Sequence, residues 1–207
     1  MASENGGYRG LLTDWGGVLT TDLFASFGAF SEREGLAGDA IQRAFRDDRG
    51  LRDVMLGLEL GTVAQEEFEQ RLAARLGVEP TDLIERLFAG AQPDERMRDA
   101  VRGLHAAGIP TGLVSNSWGT RRYPRELLAE LFDAVVISGE VGIRKPALEI
   151  YELGAERIGL APDECVYVDD LAGNLTPAAE LGMATIHHRA AAETIPQLER
   201  LLSIGLK

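Results

Sequence analysis

The residues whose types and placement could do chemistry on a charged substrate are Asp14, Ser115, Asn116, Lys145, Asp169 and Asp170. Asp14 ends an apolar run, Leu11-Leu12-Thr13, and the adjacent carboxylates Asp169-Asp170 end another, Cys165-Val166-Tyr167-Val168. Ser115-Asn116-Ser117 follows a third. Carboxylates gathered in one crevice repel each other, and they stay ionised most cheaply beside a hard divalent cation or a lysine. Lys145, in Gly142-Ile143-Arg144-Lys145-Pro146, is that lysine. The only other one is Lys207, whereas 19 of the 21 basic residues are arginine. A lysine retained in so arginine-rich a chain points to a need for a compact ammonium rather than a guanidinium fork.

Such residues need a scaffold that brings them to one edge. Tyr8–Asp14, Ile109–Ser115, Ala134–Ser138, Cys165–Asp169 and Met183–His187 read as short buried strands. Helix-length segments lie between and beyond the later ones: Asp94–Ala107, Pro124–Glu130, Pro146–Ile158, Asn174–Leu181 and Thr194–Leu202. Alternation of this kind predicts an α/β, Rossmann-like parallel sheet, whose ligand crevice lies at the carboxyl ends of the strands. From Leu23 to Gln92 the rhythm breaks. AFSEREGL, DAIQRAFRD, VAQEEFEQRLAARLG and TDLIERLFAG carry apolar residues at helical spacing with no strand among them. The expected organisation is a core of residues 1–22 and 93–207 with a helical insert at 23–92.

At 207 residues, with 45% hydrophobic and 26% charged, the chain can bury a substantial core. A net charge of -12 makes nucleic acid and anionic membranes poor partners. The single cysteine, Cys165, forms no internal disulfide, and no Cys/His cluster suits structural zinc. The polar start MASENGGYRG lacks the apolar core of a signal peptide, so a cytoplasmic location is expected.

Four motifs, in order, resemble those of the haloacid dehalogenase-like hydrolases: Leu11-Leu12-Thr13-Asp14, the strand ending in Ser115, Lys145-Pro146, and Val166-Tyr167-Val168-Asp169-Asp170. GLVSNSW, GEVGIRKPALEIY and VYVDDLAGNLTPAAELGM are similar to the subgroup that includes the N-terminal phosphatase domain of mammalian soluble epoxide hydrolase. The resemblance implies that Asp14 is the nucleophile that forms an aspartyl-phosphate. Mg²⁺ would be held by Asp14, Asp170 and the Gly16 carbonyl, with Asp169 supporting the site. Ser115 and Asn116 would bond the phosphoryl oxygens or the substrate, a small phosphorylated molecule, and Lys145 would neutralise the charge that gathers there. The insert falls where this family has its cap, and the turn Leu58-Glu59-Leu60-Gly61-Thr62 would be the cap loop that reaches the site.

One departure matters. Phosphatases of the family carry a second Asp two residues after the nucleophile, as general acid and base, and here Gly16 stands there. Loss of a positioned acid and base costs about 10² to 10⁴ in rate. A slow phosphatase is therefore expected, with a pseudoenzyme that binds a ligand or a protein partner as the alternative and a dehalogenase as the third reading. Dehalogenases of the family lack the acidic pair that Asp169-Asp170 retains. Phosphonoacetaldehyde hydrolases, which start similarly, need a cap lysine, and residues 23–92 contain none. Trp15 and Cys165 read as packing residues, and His105, His187 and His188 as structural. Arg121, Arg122 and Arg125 read as a solvated helix start, with the steering of an anionic substrate as the other reading.

Overall fold

The protein is described here by a computed structural model covering residues 7–206. Strands β1 (Gly10–Thr13), β2 (Thr111–Ser115), β3 (Ala134–Ile137), β4 (Cys165–Asp169) and β5 (Ala184–His187) form one sheet in the order β3-β2-β1-β4-β5. All neighbours are parallel. Parallel strands are covered on both faces, so consecutive apolar residues go to opposite sides. Leu11, Leu113, Val166 and Val168 join one core cluster, whereas Leu12, Val114 and Tyr167 join another. Helices α6 (Glu95–Ala106), α7 (Arg125–Leu131) and α11 (Ala191–Leu202) cover the first face with Met97, Val101, Leu104, Leu128, Leu131, Leu198 and Leu202. On the second face lie α9 (Leu148–Arg157) and α10 (Ala172–Glu180), through Ile150, Tyr151, Ala155 and Ala178. A short helix, α8 (Ser138–Val141), begins where the sequence suggested the last residue of a strand.

Between β1 and α6 stand α1 (Leu23–Arg33), α2 (Ala40–Asp47), α3 (Arg49–Glu59), α4 (Gln65–Leu76) and α5 (Leu83–Phe88). They enclose a hydrophobic cluster of their own, which includes Phe27, Phe30, Leu51, Phe68, Leu72 and Leu87. Helix α3 is absent from the segments read above because Gly50 and Gly57 weaken its intrinsic preference. Packing overrides that preference. Leu51 and Leu58, seven residues apart on one face, are both buried. The two connections to the sheet lie side by side: Thr20 bridges Pro93, Thr21 N donates to Gln92 O at 2.7 Å, and Asp94 N donates to Leu19 O at 3.1 Å.

One residue crosses from core to helical layer. Trp118, just past β2, packs among Phe27, Phe45, Phe68 and Phe88, with ring centroids 5.3–5.8 Å away. Edge-on and tilted aromatic pairs at these distances contribute beyond simple area burial. The Leu58–Thr62 turn sits on the core as well. Gly61 has φ 73°, and a Cβ there would overlap the Gly139 carbonyl. Only glycine allows this approach.

Candidate active site

The central strands β1, β4 and β2 deliver Asp14, Asp169, Asp170, Ser115 and Asn116 to the same sheet edge, and the loop after α8 delivers Lys145. Oxygens of Asp14, Asp169 and Asp170 lie within 4.8 Å of one another. Lys145 is 1% exposed, with its Nζ 3.0 Å from Asp14 Oδ1 and 2.8 Å from Asp169 Oδ2. Asp14 Oδ1 also accepts from Trp15 N at 2.7 Å, whereas Oδ2 accepts no hydrogen bond from the described residues. Asp14 thus presents one held oxygen and one free one.

The two members of the acidic pair differ in environment. Asp169 is fully buried, and Lys145 Nζ, Tyr167 OH (2.5 Å), Leu171 N (2.8 Å) and Asn174 Nδ2 (3.0 Å) all donate to it. Asp170 pairs with no cation among the described residues. Its carboxylate abuts Gly17, where φ is 70° and any Cβ would overlap it. It lines an open cleft of about 670 Å³ together with Thr20, Phe24, Leu171 and Arg189.

Titration follows this asymmetry. Burial lifts the Asp14 carboxyl from 3.8 to about 6 against the pull of Lys145, with Asp169 adding repulsion. Burial, then the charges of Asp14 and Asp169, lift Asp170 to about 7. Burial also works against ionised Asp169, but Lys145 and the Tyr167 hydroxyl outweigh it and hold this carboxyl below its usual range. Lys145 is desolvated too, yet the two carboxylates beside it raise its pKa. Three carboxylates thus face one ammonium, so full ionisation would leave two negative charges uncompensated. An oxygen-only donor set with that excess suits a hard divalent cation. The carboxylates of Asp170 and Asp14 could hold one, whereas the oxygens of Asp169 are taken up by Lys145, Tyr167, Leu171 and Asn174.

Asn116 is occupied differently from the phosphoryl-binding expectation. Its Oδ1 accepts from Lys145 N at 2.8 Å and its Nδ2 donates to Lys145 O at 3.0 Å, so the amide clamps the lysine's backbone. Ser115, 3% exposed, has its Oγ 2.9 Å from Tyr123 OH. Both residues line a cavity of about 60 Å³ with Trp15, Gly16, Leu23 and Trp118, room for several waters at about 10–15 Å³ each. The Leu58–Thr62 turn touches this machinery through Glu59, whose Oε2 is 2.5 Å from Arg144 Nε, next to Lys145. Trp15 and His187 are tied to the site as well, His187 Nε2 lying 2.9 Å from Asp170 O. His105 and Cys165 lie apart from it, whereas His188 lines the same cleft as Asp170, with its Nδ1 paired to Thr194 Oγ1.

Tyr167 and Asn174, which hold Asp169, do not stand out in the sequence. Asn174 carries a faint signal, an amide on the first turn of the helix after the acidic pair; Tyr167 reads as one more apolar strand residue.

The pattern of the haloacid dehalogenase-like hydrolases matches residues 8–182. The chain belongs to that family. Among known relatives, rat bifunctional epoxide hydrolase 2 is 30% identical over 128 residues, 58% of this chain and 23% of its own length. The chain thus spans about a quarter of that relative. A sesquiterpene phosphatase of Aspergillus oryzae is 28% identical over 150 residues, 70% of this chain and 76% of the relative. Among solved structures, an aspartate-to-alanine mutant of a family enzyme of Bacteroides thetaiotaomicron, in complex with magnesium and inorganic phosphate, superposes with a TM-score of 0.66. It is 23% identical, covering 89% of this chain and 95% of the other. At that identity the likeness concerns the fold, a Rossmann-like sheet shared by the family.

Proposed function

We propose that this hydrolase is a Mg²⁺-dependent phosphatase of small phosphorylated molecules, acting through an aspartyl-phosphate on Asp14. The carrying observation is the charge imbalance of the cluster, three carboxylates around one buried lysine. Asp14, Asp170 and the Gly16 carbonyl would hold the ion, which would supply charge neutralisation for an incoming phosphoryl group. Asp14 Oδ2, free of protein donors, attacks phosphorus while Trp15 N and Lys145 Nζ fix the other oxygen. The bond from phosphorus to the ester oxygen breaks, and that oxygen leaves with the electron pair. Lys145, placed by Asn116 and Asp169, offsets the charge on the transferring group at close range from a buried position. Asp169 acts through Lys145 and stays out of the metal shell, and Asn116 acts as its clamp rather than as a phosphoryl ligand.

Gly16 offers no proton to the leaving group and no base to water, so hydrolysis of the phosphoenzyme is the slow half. The same residue favours a second reading, a pseudoenzyme that keeps the site for ligand binding. Steady-state assay of small phosphate esters with and without Mg²⁺ separates them. Mg²⁺-dependent phosphate release supports the first, and binding of phosphate without turnover supports the second. The helical layer, as a cap, would set substrate choice over residues 23–92, with residues 1–22 and 93–207 as core.

The cluster also predicts a link between pH, metal and stability. Carboxyls raised to about 6 and about 7 keep protons that the unfolded chain has already lost. Their contribution to stability is whole below an unfolded value of 3.8 and fades as pH rises through 6 and 7. Asp170→Asn should therefore raise the melting temperature of metal-free protein at pH 8 by about 4 to 8 °C and leave it nearly unchanged at pH 4. Mg²⁺ should stabilise wild type at pH 8 and not the variant. Melting curves at both pH values check this, and an equal effect of the substitution at each would contradict it.

A further inference from the structure

Three arginines follow β2, and the structure separates them. Arg121 pairs with Glu66 and Gln65 across to the helical layer, at 2.8 and 3.3 Å. Arg125 pairs with Glu140 and the Thr120 carbonyl. Arg122 makes no ion pair and donates no hydrogen bond among the described residues. Its guanidinium lies over the Phe88 ring, 3.9 Å from the centroid. It is the only charged side chain among the described residues that line the 60 Å³ cavity of Ser115, Asn116 and Gly16. The rest of the lining combines apolar side chains, Trp15, Leu23, Phe88 and Trp118 among them, with the polar Thr20, Ser115 and Asn116.

Arg122 is exposed as well as lining the cavity, so its donors are left to water or to a ligand. Partial burial lowers its pKa, and the charge of Glu85, which forms no ion pair with it, offsets only part of that. The Phe88 ring face holds the cation in place. It leaves the fork of donors in the guanidinium plane unused, and that fork matches a carboxylate. The cavity adjoins Gly16, the position facing a leaving group if Asp14 is the nucleophile, and its apolar walls suit a short carbon chain.

We infer that Arg122 is a specificity-determining residue that binds a carboxylate on the leaving group, so the substrates are small phosphate monoesters that also carry a carboxylate. This rests on the phosphatase reading. Phosphonates cannot lose their phosphorus group by hydrolysis of an ester, so they report binding alone. The experiment is calorimetry, with Mg²⁺, of phosphonoacetate, 3-phosphonopropionate and 4-phosphonobutyrate against the uncharged ethyl-, propyl- and butylphosphonates. Wild type should bind at least one carboxylated member about tenfold or more tighter than its uncharged partner. Arg122→Met should erase that preference while binding the alkylphosphonates as wild type does, and Arg122→Lys should retain part of it. Melting curves check that both variants fold, and the lysine variant carries the test if the methionine one does not.

Equal affinity for charged and uncharged members in wild type would overturn the inference and leave the phosphatase reading intact. A parallel loss for all ligands in Arg122→Met would also overturn it, by assigning the guanidinium to the phosphoryl group. Failure of wild type to bind any phosphonate would bring down the phosphatase reading and the inference together.

Discussion

Asp14→Asn is expected to reduce steady-state phosphate release by about 10⁴ or more while leaving the metal-free protein at least as stable as wild type. The loss follows from chemistry. Amide oxygen is a poor nucleophile, and the substituted side chain offers no anion to the ion or to phosphorus. The stability follows from electrostatics. Burial and Asp169 already raise the Asp14 carboxyl to about 6, so at neutral pH its charge is held at a cost. Asparagine removes that charge without changing shape, and Lys145 keeps Asp169 at 2.8 Å as a partner. Loss of function with no loss of stability is the expected signature of a cluster arranged for catalysis rather than for folding. Turnover and thermal melting measured on one preparation check it. A variant with wild-type turnover would remove Asp14 from the mechanism, and a strongly destabilised one would make the carboxylate structural.

The second large effect concerns Gly16. With an aryl phosphate, whose leaving group departs with little protonation, wild type should release a burst of phenolate and then turn over slowly, because no base at position 16 activates water. Gly16→Asp should raise the slow phase by up to about 10². Backbone conformation does not oppose the change, since the left-handed residue of this loop is the neighbouring Gly17. The obstacle is a side chain. A Cβ at Gly16 would stand 2.6 Å from Leu23 Cδ1, so Leu23 has to turn aside. Relief of that contact makes Gly16→Asp with Leu23→Ala the better rescue. Rapid mixing of these variants with aryl phosphate and Mg²⁺ decides the matter. Fast, steady turnover in wild type without a burst would mean that another group serves as base, and silence in every variant would favour the pseudoenzyme.

Sequence legibility follows the physics of each element. The five strands read well because a parallel sheet buried on both faces needs unbroken apolar runs, and Cys165–Asp169 agrees to the residue. Strand starts read too early at Tyr8 and Ile109, where apolar residues pack without joining the ladder. Asp14, Asp169 and Asp170 are legible because carboxylates at the ends of apolar strands have few structural uses, and Lys145 because the chain has only one other lysine. Less legible are the partners. Whether Asn116 faces a substrate or clamps Lys145 depends on a loop that returns 29 residues later. Likewise Tyr167 holds Asp169 through its hydroxyl while its ring packs edge-on against Tyr151, and the sequence exposes only the packing half of that role. Residues Arg121, Arg122 and Arg125 look alike in sequence and diverge only because Glu66 and Glu140 reach two of them.

The chain has two tryptophans, Trp15 and Trp118, and both stand in the wall of the cavity that Arg122 enters. Indole emission from this protein therefore originates entirely at that wall, with none from elsewhere to dilute it. Trp118 reads the fit of the helical layer around its ring, while Trp15, adjacent to Asp14 and 6.1 Å from Tyr123 by ring centroids, reads the nucleophile's side. Each tryptophan replaced by phenylalanine would isolate the other, turning the unlabelled protein into a pair of optical gauges. One would respond to filling of the cavity, and the other to separation of the helical layer from the sheet.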